Sequence, residues 1–210
     1  MTATLENPKF YVERGYDFVA DEYLAWSAPR PTTTRMAHIA ELLKKLQPGA
    51  DVLELGCGAG VPCTQLLVAH GLNVTGNDIS AKQIALARTH VPQATFVHGD
   101  MLALDIAPQS LDAQGPMIAK IGEWLRPGGW LRPGGWLLCN FHFEEGDVTR
   151  AGWIKPEVTM FSSGLGVEGT RDIFRNQVPG FELVVDEVVV EKVGPFEERF
   201  HWIMAQKQAI

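Results

Sequence analysis

From about residue 33 onward, helix-patterned and strand-patterned segments take turns along the chain. That alternation restricts the chain to a parallel sheet covered by helices and excludes a β-sandwich. TTRMAHIAELLKKL places Met36, Ile39, Leu42, Leu43 and Leu46 on one helical stripe, and Pro48 and Gly49 stop it. DVLELGCG follows as a buried first strand, VPCTQLLVAHG as a helix ended by Gly71, and LNVTGNDI as a second strand. The next helix opens on SAKQ, where Ser80 can accept the N–H three residues on and Gln83 can reach back, a capping box. ATFVHGD reads as a third strand and WLLCNFHF as a later one. FELVVDEVVVEKV and RFHWIMAQK form a closing antiparallel pair around Gly194 and Pro195.

With 210 residues, 46% of them hydrophobic, the chain can bury a core of its own without staples. Eighteen basic against twenty-five acidic residues leave a formal charge of −7, which repels a polyphosphate backbone and argues against nucleic acid as a partner. The three cysteines, Cys57, Cys63 and Cys139, are odd in number and form no C-x-x-C pair, so neither a disulfide framework nor a metal site is expected. No apolar run approaches the roughly 20 residues that span a bilayer, and MTATLENPKF lacks the pattern of a secretory leader. The expectation is a cytoplasmic protein with no membrane partner.

Residues 51 to 60, DVLELGCGAG, concentrate the chemistry. Gly56, Gly58 and Gly60 after a strand let the backbone turn sharply and approach a ligand with no Cβ in the way, beside the free N–H groups of the following helix. A tight strand-to-helix turn with no ligand is the alternative for this loop taken alone. The dinucleotide fingerprint G-x-G-x-x-G would need Gly or Ala where Val61 stands, which weighs against a nicotinamide enzyme. Asp78, at the end of the second strand, is placed where a carboxylate can accept from both hydroxyls of a ribose. Asp100, in FVHGD, stands at the end of the third strand on the same carboxyl edge.

Together these pieces resemble the class I S-adenosylmethionine-dependent methyltransferases, over roughly residues 16 to 207. The resemblance implies a Rossmann-like α/β fold, a mostly parallel sheet flanked by helices with a C-terminal antiparallel hairpin, and S-adenosyl-L-methionine as cofactor. It further implies that Glu54, Gly56, Gly58 and Gly60 hold the methionine end, Asp78 the ribose, and Ile79 the side of the adenine. Asp100 would reach the adenine amino group, with Met101 adding backbone and side-chain contact. The lead-in YDFVADEYLAW, with Tyr16, Tyr23 and Trp26, resembles an aromatic cap folded over the cofactor; a helix packed by its own aromatics is the competing reading. This divides the chain into a helical cap over residues 1–32 and a cofactor-binding domain over 33–210.

Two irregularities lie further along. Only MLALDIAPQSLDA separates Asp100 from the helical QGPMIAKIGEWL, so the central fourth strand of the family is expected to be missing or truncated, by roughly 15 to 20 residues. Cofactor contacts from the first three strands would survive this loss, and turnover would suffer. The hexapeptide LRPGGW then occurs twice in succession, at 125–136. Pro in the second place of RPGG and Gly in the third suit a type II turn, and the second copy, running straight into WLLCNF, is the better candidate for it. The repeat reads as a local duplication.

For the chemistry, in-line attack on a sulfonium methyl depends mainly on alignment, so a dedicated base is not obligatory. His142, at the end of WLLCNFHF, is the best base candidate, although a merely satisfied strand-edge histidine would look the same. GWIKPEVTMFSSGLG, with Trp153, Met160 and Phe161, resembles the variable lid over the acceptor in small-molecule methyltransferases. The expected function is therefore methyl transfer to a small organic acceptor, impaired by the loss near the fourth strand. A non-catalytic S-adenosylmethionine-binding protein and a nicotinamide-dependent oxidoreductase are the alternatives.

Overall fold

The computed structural model describes residues 7–28, 33–103, 134–177, 180–193 and 196–208. Two compact units divide the chain, Met1–Met101 with Thr149–Phe161, and Leu102–Val148 with Ser162–Ile210.

The first unit contains α1 (Pro8–Ser27), α2 (Thr34–Leu43), β1 (Asp51–Leu55), α3 (Cys63–Ala69), β2 (Asn73–Asp78), α4 (Ala81–His90) and β3 (Thr95–His98). The strands are parallel in the order β1-β2-β3, with Leu53 opposite Thr75 and Gly76 opposite Phe96. Ile84, Ala87 and Val91 recur at helical spacing along α4 and its end and close a core with Cys57 and Phe96. Each large apolar side chain removed from water here contributes about 1.5–3 kcal/mol. Gly76 permits that packing, since a Cβ there would stand 2.9 Å from both the Cys57 sulfur and the Phe96 ring.

Side-chain caps begin α2 and α4 as the residue types suggest. Thr33 Oγ1 accepts from the Met36 N–H at 3.3 Å and starts α2; Ser80 Oγ accepts from the Gln83 N–H at 3.1 Å and starts α4. The reciprocal half of the expected capping box is not made. The Ser80 N–H instead donates to Asp78 Oδ1 at 2.9 Å, leaving both amide atoms of Gln83, 1% exposed, without a partner among the described residues.

In the second unit, β4 (Trp136–His142), β7 (Phe181–Val193) and β8 (Phe196–Lys207) form an antiparallel sheet in the order β4-β8-β7. The closing pair is thus present, with a register shift between Leu183 and Val185. Its core joins Ile203 and Ala205 of β8 to Ile173 and Phe174, with Leu137, Cys139, Phe141, Phe181 and Leu183 packed around them. Ile173 and Phe174 come from a helical stretch the sequence pattern does not announce, α5 (Gly166–Asp172), continued by a wider π-helical turn at Ile173–Gln177. The glycines of GVEGTRD hide its period, and the two apolar residues that follow hold it.

The segment read as a lid, residues 152–166, supplies β6 (Thr159–Leu165), which pairs with β5 (Glu145–Ala151) just before it in a two-stranded sheet. Its outer turn is closed by Gly152 N–H to the Val158 carbonyl at 2.7 Å and by Val158 N–H to the Lys155 carbonyl at 3.0 Å. Gly134, third residue of the second RPGG, has φ +83°, the value a type II turn needs there, and donates its N–H to the Lys207 carbonyl at 3.1 Å. The rest of the doubled hexapeptide up to Pro133, the expected fourth-strand gap beyond Ala103, and Gly194 and Pro195 lie outside the described residues.

Candidate cofactor-binding site

The glycine loop leaves β1 through three positive-φ residues, Gly56 (68°), Gly58 (56°) and Gly60 (76°). Gly60 is also held by packing, because a Cβ there would lie 3.2 Å from Val91 Cγ2 and 3.5 Å from Ala87 Cβ of α4. At Gly56 nothing lies within 4 Å of where a Cβ would stand, so the loop keeps open space beside it. Cys57 N–H donates to the Asn77 carbonyl at 2.9 Å and ties the loop to β2.

Asp78 closes the same corner from the end of β2. Only 9% exposed, it accepts the Gly58 N–H at Oδ2 and the Ser80 N–H at Oδ1, both at 2.9 Å. Burial raises its pKa above the ordinary carboxylate value, against the lowering by those two N–H groups, and the nearby Asp17 charge adds to the rise. Asp17 is a residue the sequence did not single out. From α1 its Oδ1 accepts the Ser80 hydroxyl at 2.6 Å and the Lys82 N–H at 3.1 Å, an acceptor for the exposed N–H groups that open α4. The available signal was an acid at helical spacing among the aromatics of YDFVADEY.

Glu54, on β1, accepts the Thr64 hydroxyl at 2.6 Å, and burial pushes its pKa up to about 7 despite that bond and the Arg35 charge. Asp100 is ion-paired with Lys9 of α1. The Gly99 N–H donates to the Asp78 carbonyl at 2.9 Å, and the Asn77 amide donates to the Val97 and Gly99 carbonyls at 3.0 and 2.9 Å, which brings the end of β3 beside that of β2. The carbonyl of Ile79 is 3.0 Å from His98 Nε2, and Met101 opens a short 3-10 turn. Glu54, Gly56, Gly58, Gly60, Asp78, Ile79, Asp100 and Met101 are therefore all gathered at the carboxyl ends of β1, β2 and β3, the edge where open parallel sheets take ligands.

Tyr16 and Tyr23 belong to a chain of rings within the same unit. Tyr16 meets Tyr23 edge-on at 5.6 Å, Tyr23 meets Trp26 at 5.6 Å, and Trp26 meets Trp153 of the β5–β6 turn at 4.4 Å. Lys155 of that turn pairs with Glu22 at 2.6 Å and donates to the Phe18 carbonyl at 3.2 Å, fastening it to α1. His142 belongs to the second unit, where its Nδ1 accepts the Glu144 N–H at 3.3 Å.

This edge fits a ribonucleoside carrying a cationic tail. Open space at Gly56 leaves room for it, the unpaired Gln83 amide stands beside Gly58, and the carboxyl groups of Glu54, Asp78 and Asp100 stand at the same edge, where a cation favours their ionised forms. Among the described residues no helix is long and apolar enough to cross a membrane.

Residues 52–115 match the family described as "Methyltransferase domain". A sterol 24-C-methyltransferase of Yarrowia lipolytica is 31% identical over 106 residues, covering 47% of this chain and 28% of the relative. A trans-aconitate 2-methyltransferase of Paracidovorax citrulli is 39% identical over 97 residues, covering 44% of this chain and 35% of the relative. The chain thus spans about a third or less of the length of these curated relatives. Among solved structures, a Burkholderia thailandensis 1,6-didemethyltoxoflavin-N1-methyltransferase with bound S-adenosylhomocysteine superposes with TM-score 0.62 at 19% identity, over 100% of this chain and 94% of that one. A Synechocystis magnesium protoporphyrin IX methyltransferase with bound S-adenosylmethionine gives TM-score 0.60 at 16% identity, over 99% and 100%. Their shared fold is the Rossmann-like one that the resemblance implies. Residues 52–115 thus match a methyltransferase domain, and the chain shares the fold of these solved S-adenosylmethionine-dependent methyltransferases.

Proposed function

We propose that this chain binds S-adenosylmethionine at the carboxyl edge of β1, β2 and β3 and transfers its methyl group to a small organic acceptor. The observation that carries the reading is the Asp78 carboxylate, buried and fastened to the glycine loop through Gly58 N–H. When bound, the cofactor supplies an electrophilic methyl on a sulfonium sulfur. Asp78 would hold the ribose hydroxyls, Ile79 and Met101 the adenine faces, and Asp100 the adenine amino group once its pairing with Lys9 is exchanged. Glu54 and the loop of Gly56, Gly58 and Gly60 would hold the methionine end. A buried carboxyl with a pKa near 7 is ionised more easily beside a cation, which suits a cationic tail.

Tyr16 and Tyr23 on α1 would line the approach to the cofactor, with the Trp153 turn beyond them. Orienting the acceptor is the main task of the chain's own residues, since alignment supplies most of the rate in a displacement of this kind. A formal charge of −7 supports a small molecule over a nucleic acid.

Incubation with methyl-labelled S-adenosylmethionine and a panel of phenols, thiols, amines and carboxylates tests the reaction. Label transfer to one acceptor class is the expected result. Cofactor binding without transfer to any would make the chain a binding protein, and quenching by NADH in place of S-adenosylhomocysteine would make it an oxidoreductase.

A further inference from the structure

Three hydrogen bonds run in series from α1 into the glycine loop, and a fourth branches from the first to the Lys82 N–H. Asp17 Oδ1 accepts the Ser80 hydroxyl at 2.6 Å and the Lys82 N–H at 3.1 Å; Ser80 N–H donates to Asp78 Oδ1 at 2.9 Å; Asp78 Oδ2 accepts the Gly58 N–H at 2.9 Å. Ser80 is 0% exposed, so its hydroxyl has little alternative to Asp17 as an acceptor. Two carboxylates thereby hold one serine from opposite sides, and the first turn of α4 is fixed between them.

We infer that Asp17 is a positioning residue for the ribose subsite, acting through Ser80 on the orientation of Asp78. The inference rests on the cofactor reading above and extends it to α1, whose residue 17 becomes part of the binding machinery. Asp17 itself need not touch the ligand. Without it, Ser80 loses its hydroxyl acceptor and α4 loses an acceptor for the Lys82 N–H, so the backbone that aims Asp78 Oδ1 is held by fewer bonds. Only one oxygen of Asp17 makes these bonds, so an asparagine presenting its carbonyl oxygen can replace it.

The test measures affinity for S-adenosylhomocysteine and for its 2′-deoxy analogue by calorimetry in the wild-type chain, Asp17→Ala, Asp17→Asn and Ser80→Ala. Asp17→Ala is expected to weaken S-adenosylhomocysteine about tenfold, the scale of one charged hydrogen bond, and the 2′-deoxy analogue less than twofold. Asp17→Asn should restore wild-type affinity for both within about twofold. Ser80→Ala, which cuts the series at its next link, should reproduce the loss of selectivity and carries the test if Asp17→Ala does not fold. Equal weakening of both ligands, which general loosening of α1 would produce, or no weakening of either, overturns the positioning role. A folded wild-type chain that binds neither ligand overturns the cofactor reading and this inference with it.

Discussion

Asp78 accepts the backbone N–H of Gly58, twenty residues earlier in the chain, at 2.9 Å, and accepts the Ser80 N–H with its other oxygen. One carboxylate therefore joins the loop after β1 to the start of α4. Asp78→Asn turns one of those acceptors into an amide donor facing a backbone donor. The substitution should cost about 1–3 kcal/mol of stability, read as a lower midpoint in urea with unchanged slope. An unchanged midpoint would mean that the two bonds do not hold the corner.

Gly56 and Gly60 separate shape from space. Both have positive φ, but only Gly60 faces α4 closely, with Val91 Cγ2 at 3.2 Å from its would-be Cβ. Gly60→Ala should lose about 1–3 kcal/mol from strain and crowding, more than Gly56→Ala loses. Gly56→Ala should instead weaken S-adenosylhomocysteine the more strongly of the two, because its methyl enters the open space. Thermal melts and titrations of both variants check the pair, and an inverted order would misplace the ligand.

Glu54 makes stability fall as pH rises. Its folded pKa of about 7 lies above the ordinary glutamate value of 4.5, so the folded state holds the proton that the unfolded state has lost. The stabilising effect is complete below 4.5 and is lost as pH climbs through about 7. The raised pKa of Asp78 acts in the same direction. Glu54→Gln, whose amide oxygen can still accept from Thr64, should flatten this slope and gain roughly 3 kcal/mol at most at pH 8. Denaturation from pH 5 to 8 measures it, and identical slopes in the two proteins would contradict it.

In the second unit, Asp186 accepts from His201 Nε2 at 2.7 Å and from Arg171 at 2.8 to 3.1 Å. The Arg171 guanidinium holds the Asp186 carboxyl below the usual range. The stability linked to it is present above the unfolded pKa and lost as pH falls through the folded one. His201 is 0% exposed, and its Nδ1 has no partner among the described residues, so Asp186→Ala leaves the whole ring unpaired. A loss of about 1–3 kcal/mol is expected, with Asp186→Asn losing less. Equal losses would show that the charge, and not the hydrogen bond, matters.

Much of this architecture was legible because period and punctuation agree. Apolar runs of β1 and β2, the stop at Gly71, and Ser80 before α4 each place an element, and the pattern of residues 181–193 and 199–207 places the closing pair. Where period fails, so does the reading: Gly166 and Gly169 conceal α5, and the lid segment gave no sign of strands. Partners remote in sequence were illegible as well. Nothing local to Ser80 says that its N–H chooses Asp78 over Gln83, or that its hydroxyl chooses Asp17 sixty-three residues away. Candidate site residues on strand ends were readable from spacing, while the α1 contacts that complete the corner depend on packing.

Calorimetric titration of S-adenosylhomocysteine into the wild-type chain and Asp78→Ala tests the central claim most directly. Saturable one-to-one binding by the wild type, weakened about tenfold or more in the variant, is the predicted result. A folded wild-type sample that takes up no ligand, or a variant that binds as tightly as the wild type, would contradict it.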